Sequence, residues 1–247
     1  MLARAWGIAR SLVIYHGVPG KHRRMLRFYR DFLGPGDLGF DIGAHVGSRV
    51  RAWRQLGARV IAVEPQPDLV RILRLFFGRD SGVAILPVAV GARAGQARMA
   101  LSTAFPTVSS MSPDWIESVA VDPSFARVRW DSSVEVPVAT LDELIARHGE
   151  PAFCKIDVEG FEVDVLTGLT RPLRGLSFEY LPPAHDAALA SLELVERLGR
   201  YRYNYVPIET MRYASQRWLD AAELVTLLDG FRPLGRSGDV YARLDPS

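Results

Sequence analysis

The side chains with chemistry to offer sit where short apolar runs end. Asp157 and Glu159 follow Ala152-Phe-Cys-Lys-Ile156, and Glu179 lies within Leu176-Ser-Phe-Glu-Tyr180. Carboxylates gathered in one site raise one another's pKa, so one of the three could serve as a base near neutral pH. They could also hydrogen-bond substrate hydroxyls or a cofactor amino group, hold a divalent cation through oxygen ligands, or only cap the next helix. Contact with substrate or cofactor is the favoured use, and no metal is assigned. His185, after Pro182-Pro183, is a further candidate base or a solvated loop histidine.

A second group lies upstream, in Leu38-Gly-Phe-Asp-Ile-Gly-Ala-His-Val-Gly-Ser48. Asp41, Gly43 and Gly47 make a D-x-G-x-x-x-G pattern between an apolar strand and a helix starting near Val46. Gly43 allows a sharp turn and a close ligand approach. Gly47 is expected to let the helix pack close to its strand. Ala44, His45 and Val46 complete a turn whose free N–H groups favour an anionic group. Asp41, at the strand end, is expected to face the ligand. The glycines at 39, 43 and 47 do not form the dinucleotide fingerprint G-x-G-x-x-G, and no P-loop pattern occurs. A nucleoside ligand without a pyrophosphate remains, and S-adenosylmethionine fits. Arg59-Val-Ile-Ala-Val63 then ends in Glu64-Pro65. An acid about 20 residues past the glycine turn, at the end of the second strand, suits hydrogen bonding to ribose hydroxyls.

Those residues need an alternating scaffold. Periodicity predicts strands over 37–42, 59–64, 83–90, 134–138, 152–156, 176–180, 202–207 and 239–244, with a short strand at 96–101. Helices are expected over 47–57, 67–78, from 160 to about 169, 185–199 and 218–228. Thr140 and Glu143 form a capping box that opens another helix, ending near His148-Gly149. The alternation implies an α/β fold with a mostly parallel sheet, helices on both faces and an antiparallel pair at one edge. Residues 102–133 break the rhythm. They are rich in Ser, Thr and Pro, with Phe105, Met111, Trp115, Phe125 and Trp130 scattered through them, and read as a substrate lid or pocket wall.

Residues 1–33 read as a basic helical extension, and 34–247 as the main domain. The extension carries Arg4, Arg10, Lys21, Arg23, Arg24, Arg27 and Arg30, with no acid before Asp31. It is expected to pack over the domain edge, with contact to membrane lipid or an anionic substrate through 1–30 as the alternative. A net charge of +2 in 247 residues gives no global signal for nucleic acid. The single cysteine, Cys154, excludes an internal disulfide framework and fits a reducing compartment. No apolar run approaches 18 residues and no signal-peptide core is evident, so a cytoplasmic location is expected.

Four segments also carry a family resemblance. Phe40-Asp-Ile-Gly-Ala-His-Val-Gly47, Val63-Glu-Pro65, Leu86-Pro-Val-Ala-Val-Gly91 and Lys155-Ile-Asp-Val-Glu-Gly-Phe-Glu162 resemble the FkbM family of S-adenosylmethionine-dependent methyltransferases. His45 stands where that family usually has asparagine. The resemblance implies a Rossmann-like class I methyltransferase fold with a seven-stranded sheet, and O-methylation of a small molecule, sugar or natural product. In that reading Asp41 to Ser48 hold the methionine part, Glu64 the ribose, and Ala89 and Val90 flank the adenine. Asp157, Glu159 and Glu179 face the acceptor. The rival readings are a non-catalytic module that keeps the fold and a nicotinamide-dependent oxidoreductase. The missing dinucleotide fingerprint speaks against the second.

Overall fold

A computed structural model describes residues 2–208 and 210–245. Helices α1 (Leu2–His16) and α2 (Lys21–Tyr29) lead into β1 (Leu38–Ile42), α3 (Ser48–Gln55), β2 (Arg59–Val63), α4 (Pro67–Phe77) and β3 (Val83–Leu86). Next come β4 (Ala89–Val90), β5 (Gly95–Leu101), α5 (Pro113–Ala120), β6 (Ser132–Ala139) and α6 (Leu141–His148). The chain continues through β7 (Phe153–Ile156), α7 (Glu162–Thr167), β8 (Gly175–Tyr180) and α8 (His185–Leu198). It ends in β9 (Tyr201–Pro207), α9 (Ala221–Phe231) and β10 (Gly238–Leu244).

Seven strands form one sheet in the order β3-β2-β1-β7-β8-β10-β9, parallel except for β10, which runs antiparallel to both neighbours. This is the expected Rossmann-like α/β architecture. Its central strands are buried on both faces, which explains their nearly unbroken apolar sequences. Phe40 and Ile42 point into one core layer with Leu176, Phe178 and Leu224. The opposite layer holds Tyr29, Trp53, Phe153 and Tyr241, so α2 supplies core residues and does not merely cover an edge.

Three expectations change. The strand predicted over 83–90 is two strands, because Pro87 has no N–H to continue a ladder. Val83–Leu86 stays in the main sheet, while Ala89–Val90 joins a separate three-stranded sheet, β4-β6-β5. The 102–133 stretch is not wholly irregular: Ser112 caps α5 by accepting from the Trp115 N–H at 3.1 Å, and Pro113 occupies the first turn. Gly47 is the residue before α3, in the left-handed region at φ 76°, and an added Cβ would strike Phe77 and Leu73. It therefore permits close packing against α4, not against β1.

The pairing register sets up the site. Ile42 pairs with both Val63 and Ile156, so Gly43, Glu64 and Asp157 leave the sheet at one level. Lys155 pairs with Ser177, which puts Glu179 level with Asp157, and Glu179 pairs with Asp239. One row of residues thus crosses the carboxyl ends of the parallel strands, where ligands bind in sheets of this kind.

Candidate functional site

A cleft of about 390 Å³ opens along that row, within the roughly 300–1,000 Å³ typical of small-molecule sites. The turn after β1 forms its floor. Gly43 has φ 84°, and an added Cβ would land on the Asp157 carbonyl oxygen. The N–H groups of Gly43 and Ala44 both donate to the Val63 carbonyl at 2.9 Å, which ties the turn to the end of β2. His45 follows at φ 51°.

Glu64 is buried at the cleft wall. Its Oε2 accepts from the His45 N–H and its Oε1 from the Gln66 N–H, both at 2.9 Å. Each carboxylate oxygen has a second acceptor position, so Glu64 can hold this turn and still accept from a ligand hydroxyl. Burial is the main influence on it and pushes its pKa up to about 7, against the two backbone hydrogen bonds.

Of the other residues the sequence names for the cofactor, Gly43, Ala44, His45, Pro65, Ala89, Val90 and Asp157 line the cleft. Asp41, Val46 and Gly47 do not. Asp41 was expected to face the ligand, but β1 carries it inward, where it is 1 % exposed and its Oδ1 has no hydrogen-bond partner. Burial, partly opposed by Arg49 and Lys155, raises its pKa to about 6.

Asp157, Glu159 and Glu179 come together at the far side, with oxygens within 4.8 Å of one another. Their environments push them apart. Burial disfavours the charge on Asp157, but Lys155 Nζ at 3.2 Å and Arg49 Nη2 at 3.5 Å outweigh it and hold the carboxyl below its usual range. Glu159 is held well above its usual range by burial and by repulsion from Asp157 and Glu162. Glu179 is raised likewise by burial, then by Glu159 and Asp157. One carboxyl made more acidic by its cations therefore sits beside two whose affinity for a proton is raised. His185 lies elsewhere. It is 3 % exposed, with Nε2 3.1 Å from Asp229 Oδ1, and it lines no part of the cleft.

Sequence reasoning overlooked three contributors. Lys155 is wholly buried under Asp157, with Nζ also 2.9 Å from Asp239 Oδ1. These two carboxylates overcome the burial that would strip its charge. Asp239 itself borders the cleft, as does Arg49. Arg49 was readable in principle: a cation in the first turn of a helix opposes the helix dipole, so it needs another reason to be there.

Residues Pro106, Thr107, Ser109 and Met111 form one wall of the cleft. Ser110 Oγ donates to the Glu159 carbonyl at 2.6 Å, and Trp115 of α5 lies against Gly160, whose Cβ position it fills. The 102–133 segment is thus fastened to the loop that carries Asp157 and Glu159. Ile14 and Tyr15 of α1, which packs against this wall at Ala104 and Pro106, also line the cleft, and Arg4 anchors α1 through Asp68 and Gln66 at 3.2 and 2.8 Å.

Residues 41–207 match a family described as the methyltransferase FkbM domain. Several solved structures resemble the chain. A precorrin-6y C5,15-methyltransferase from Geobacter metallireducens is 12 % identical, with 91 % of this chain and 86 % of that one covered and a TM-score of 0.49. A TehB-like SAM-dependent methyltransferase from Corynebacterium glutamicum is 12 % identical, with 96 % and 94 % covered and a TM-score of 0.49. An O-methyltransferase from Bacillus cereus, in complex with SAH, is 10 % identical, with 97 % and 90 % covered and a TM-score of 0.47. No curated protein matches the chain in sequence.

Proposed function

The chain belongs to the FkbM family of S-adenosylmethionine-dependent methyltransferases, and we propose that it transfers the methyl group to a hydroxyl oxygen of a small molecule, sugar or natural product. The observation that carries this reading is the opposition, across one cleft, of Glu64 and the left-handed turn at Gly43 to three carboxylates of unequal acidity.

S-adenosylmethionine, when bound, supplies a methyl group already activated by its sulfonium. The chain's own work is alignment, exclusion of water and removal of one proton. Glu64 accepts from the ribose hydroxyls, the Gly43–His45 turn accommodates the methionine part, and Ala89 and Val90 pack beside the base. The acceptor hydroxyl lies at Asp157, Glu159 and Glu179. As its oxygen takes the methyl group, its proton passes to whichever of Glu159 and Glu179 is ionised; like-charge repulsion makes that member a better base than an isolated carboxylate. Asp157, held ionised, orients the hydroxyl. The 102–133 segment closes the site on the acceptor side.

Two tests separate this reading from its rivals. In calorimetric titration with S-adenosylhomocysteine, Glu64→Gln is expected to weaken binding roughly a hundredfold, since two hydrogen bonds to a charged acceptor are lost at about 1.5 kcal/mol each. The wild-type affinity should climb with pH through about 7, because the ligand needs the ionised carboxylate, whereas the Gln variant should be flat. In the free protein the sign is opposite. A folded-state pKa above the unfolded value gives Glu64 a stabilising contribution that is full below about 4.3 and is lost as pH rises through about 7. A pH-independent affinity in the wild type would remove Glu64 from the site.

The second test is the pH profile of methyl transfer, using labelled cofactor and a panel of hydroxyl, amine and carbon acceptors. The rate should rise along a limb above the ordinary carboxylate range. Glu159→Gln, by removing a like charge beside Glu179, should shift the remaining limb toward lower pH. Turnover only of amine or carbon acceptors would overturn O-methylation. Cofactor binding without turnover of any acceptor would favour a non-catalytic module.

A further inference from the structure

Helix α1 shows two unlike faces. Its inner face buries Gly7 and Ser11 and is pinned by Arg4. Its outer face is apolar and open: Trp6 is 72 % exposed and Val13 68 %, with Val18, just past the helix, also exposed. Trp6, Arg10, Val13 and Gly17 follow one another at intervals of four, three and four, which lines them up in a single stripe. Helix α2, in contact with α1, carries Arg23, Arg24 and Arg27, and Arg30 follows its last turn. All four are exposed, on the side away from the buried Met25, Phe28 and Tyr29. Among the described residues, none of these four or Arg10 forms an ion pair. Nothing acidic precedes Asp31 to offset them.

We propose that α1 and α2 form a docking face for an anionic lipid surface. Trp6, Val13 and Val18 enter the headgroup layer, and Arg23, Arg24 and Arg27 meet the lipid phosphates, while the Arg10 guanidinium stays over the Phe105 ring at 5.3 Å. The charge of the face is complementary to such a surface, and its exposed aliphatic side chains have an apolar medium to enter there, which a nucleic-acid backbone does not offer. Among the described residues no helix is long and apolar enough to cross a membrane, so the contact is peripheral. Because Ile14 and Tyr15 of the same helix line the cleft, docking sets the mouth of the cleft at the lipid interface.

Cosedimentation of the full chain with vesicles tests this. The protein is expected to pellet with phosphatidylglycerol-rich vesicles, to stay in solution with pure phosphatidylcholine vesicles, and to be released by salt. Joint replacement of Arg23, Arg24 and Arg27 by Gln should lower the partition coefficient about a hundredfold, and Trp6→Ala roughly tenfold. These side chains are exposed, so thermal unfolding of the variants should match the parent. Any of three results would overturn the proposal: no binding to anionic vesicles, binding to RNA at the same salt without vesicle binding, or a Trp6-dependent dimer that does not bind vesicles.

Discussion

Replacing Lys155 with methionine is expected to cost the fold about 3–5 kcal/mol at neutral pH, the range for removing one partner of a buried ion pair. Lys155 is wholly buried, and its Nζ lies 2.9 Å from Asp239 and 3.2 Å from Asp157. Methionine fills nearly the same volume, so the loss is electrostatic. It leaves three carboxylates, at positions 41, 157 and 239, around the single cation of Arg49. The Asp157 side chain is 23 % exposed, so water offsets part of the penalty there, but that of Asp239 is only 7 % exposed. The pH dependence identifies the cause. In the parent, Asp157 is held below its usual range and stabilises the fold above the unfolded pKa, a contribution lost as pH falls. In the variant the stranded carboxylates take up protons at higher pH when folded than when unfolded, so the fold weakens as pH rises. The gap between variant and parent in urea titrations should therefore be smaller at pH 5 than at pH 8. An equal gap at both, or a gap under about 1 kcal/mol, would mean that packing and not charge is what Lys155 supplies.

Gly43→Ala is expected to act on stability and on binding together. A left-handed backbone costs a residue with a Cβ about 1–2 kcal/mol, and here the Cβ would also land on the Asp157 carbonyl. A backbone atom cannot rotate away as a side chain can, so the ends of β1 and β7 must separate. An overpacked interior adds about 1–3 kcal/mol, for a total near 3–4 kcal/mol in denaturant unfolding with an unchanged slope. The shift displaces Asp157 from the level of Glu64 and Glu179, so affinity for S-adenosylhomocysteine should fall beyond detection even in the fraction that stays folded. A variant that binds within twofold of the parent would show that the turn carries no part of the ligand site.

What the sequence disclosed follows from how far apart the cooperating residues lie. Gly43, Glu64 and the Asp157–Glu159 pair each sit at the end of their own apolar run, so local patterning locates them, and parallel pairing brings the ends level. Arg49 and Lys155 were visible as residues but not as partners. Lys155 reads as one polar interruption in an apolar strand until Asp239, 84 residues further on, closes the pair. Asp41 misled for the opposite reason: a position one strand residue short of the turn is turned inward by the pleat. Pro87 could have warned that 83–90 is two strands, since it cannot donate to a ladder.

The order of strands also bears on how the molecule is made. β10 is synthesised after β9 but lies between β9 and β8, so β9 has no neighbour in the sheet until the last strand arrives. Up to that moment a nascent chain presents the open edge of β8 and a tyrosine-rich strand paired on one side alone, with Leu219 at Tyr203, and both open edges are prone to pair with other chains. The same late arrival delivers Asp239 to Lys155. Closure of the sheet and completion of the charge cluster that Lys155 and Asp157 begin are therefore one event. Before β10 is in place the molecule has neither a sealed edge nor a finished site.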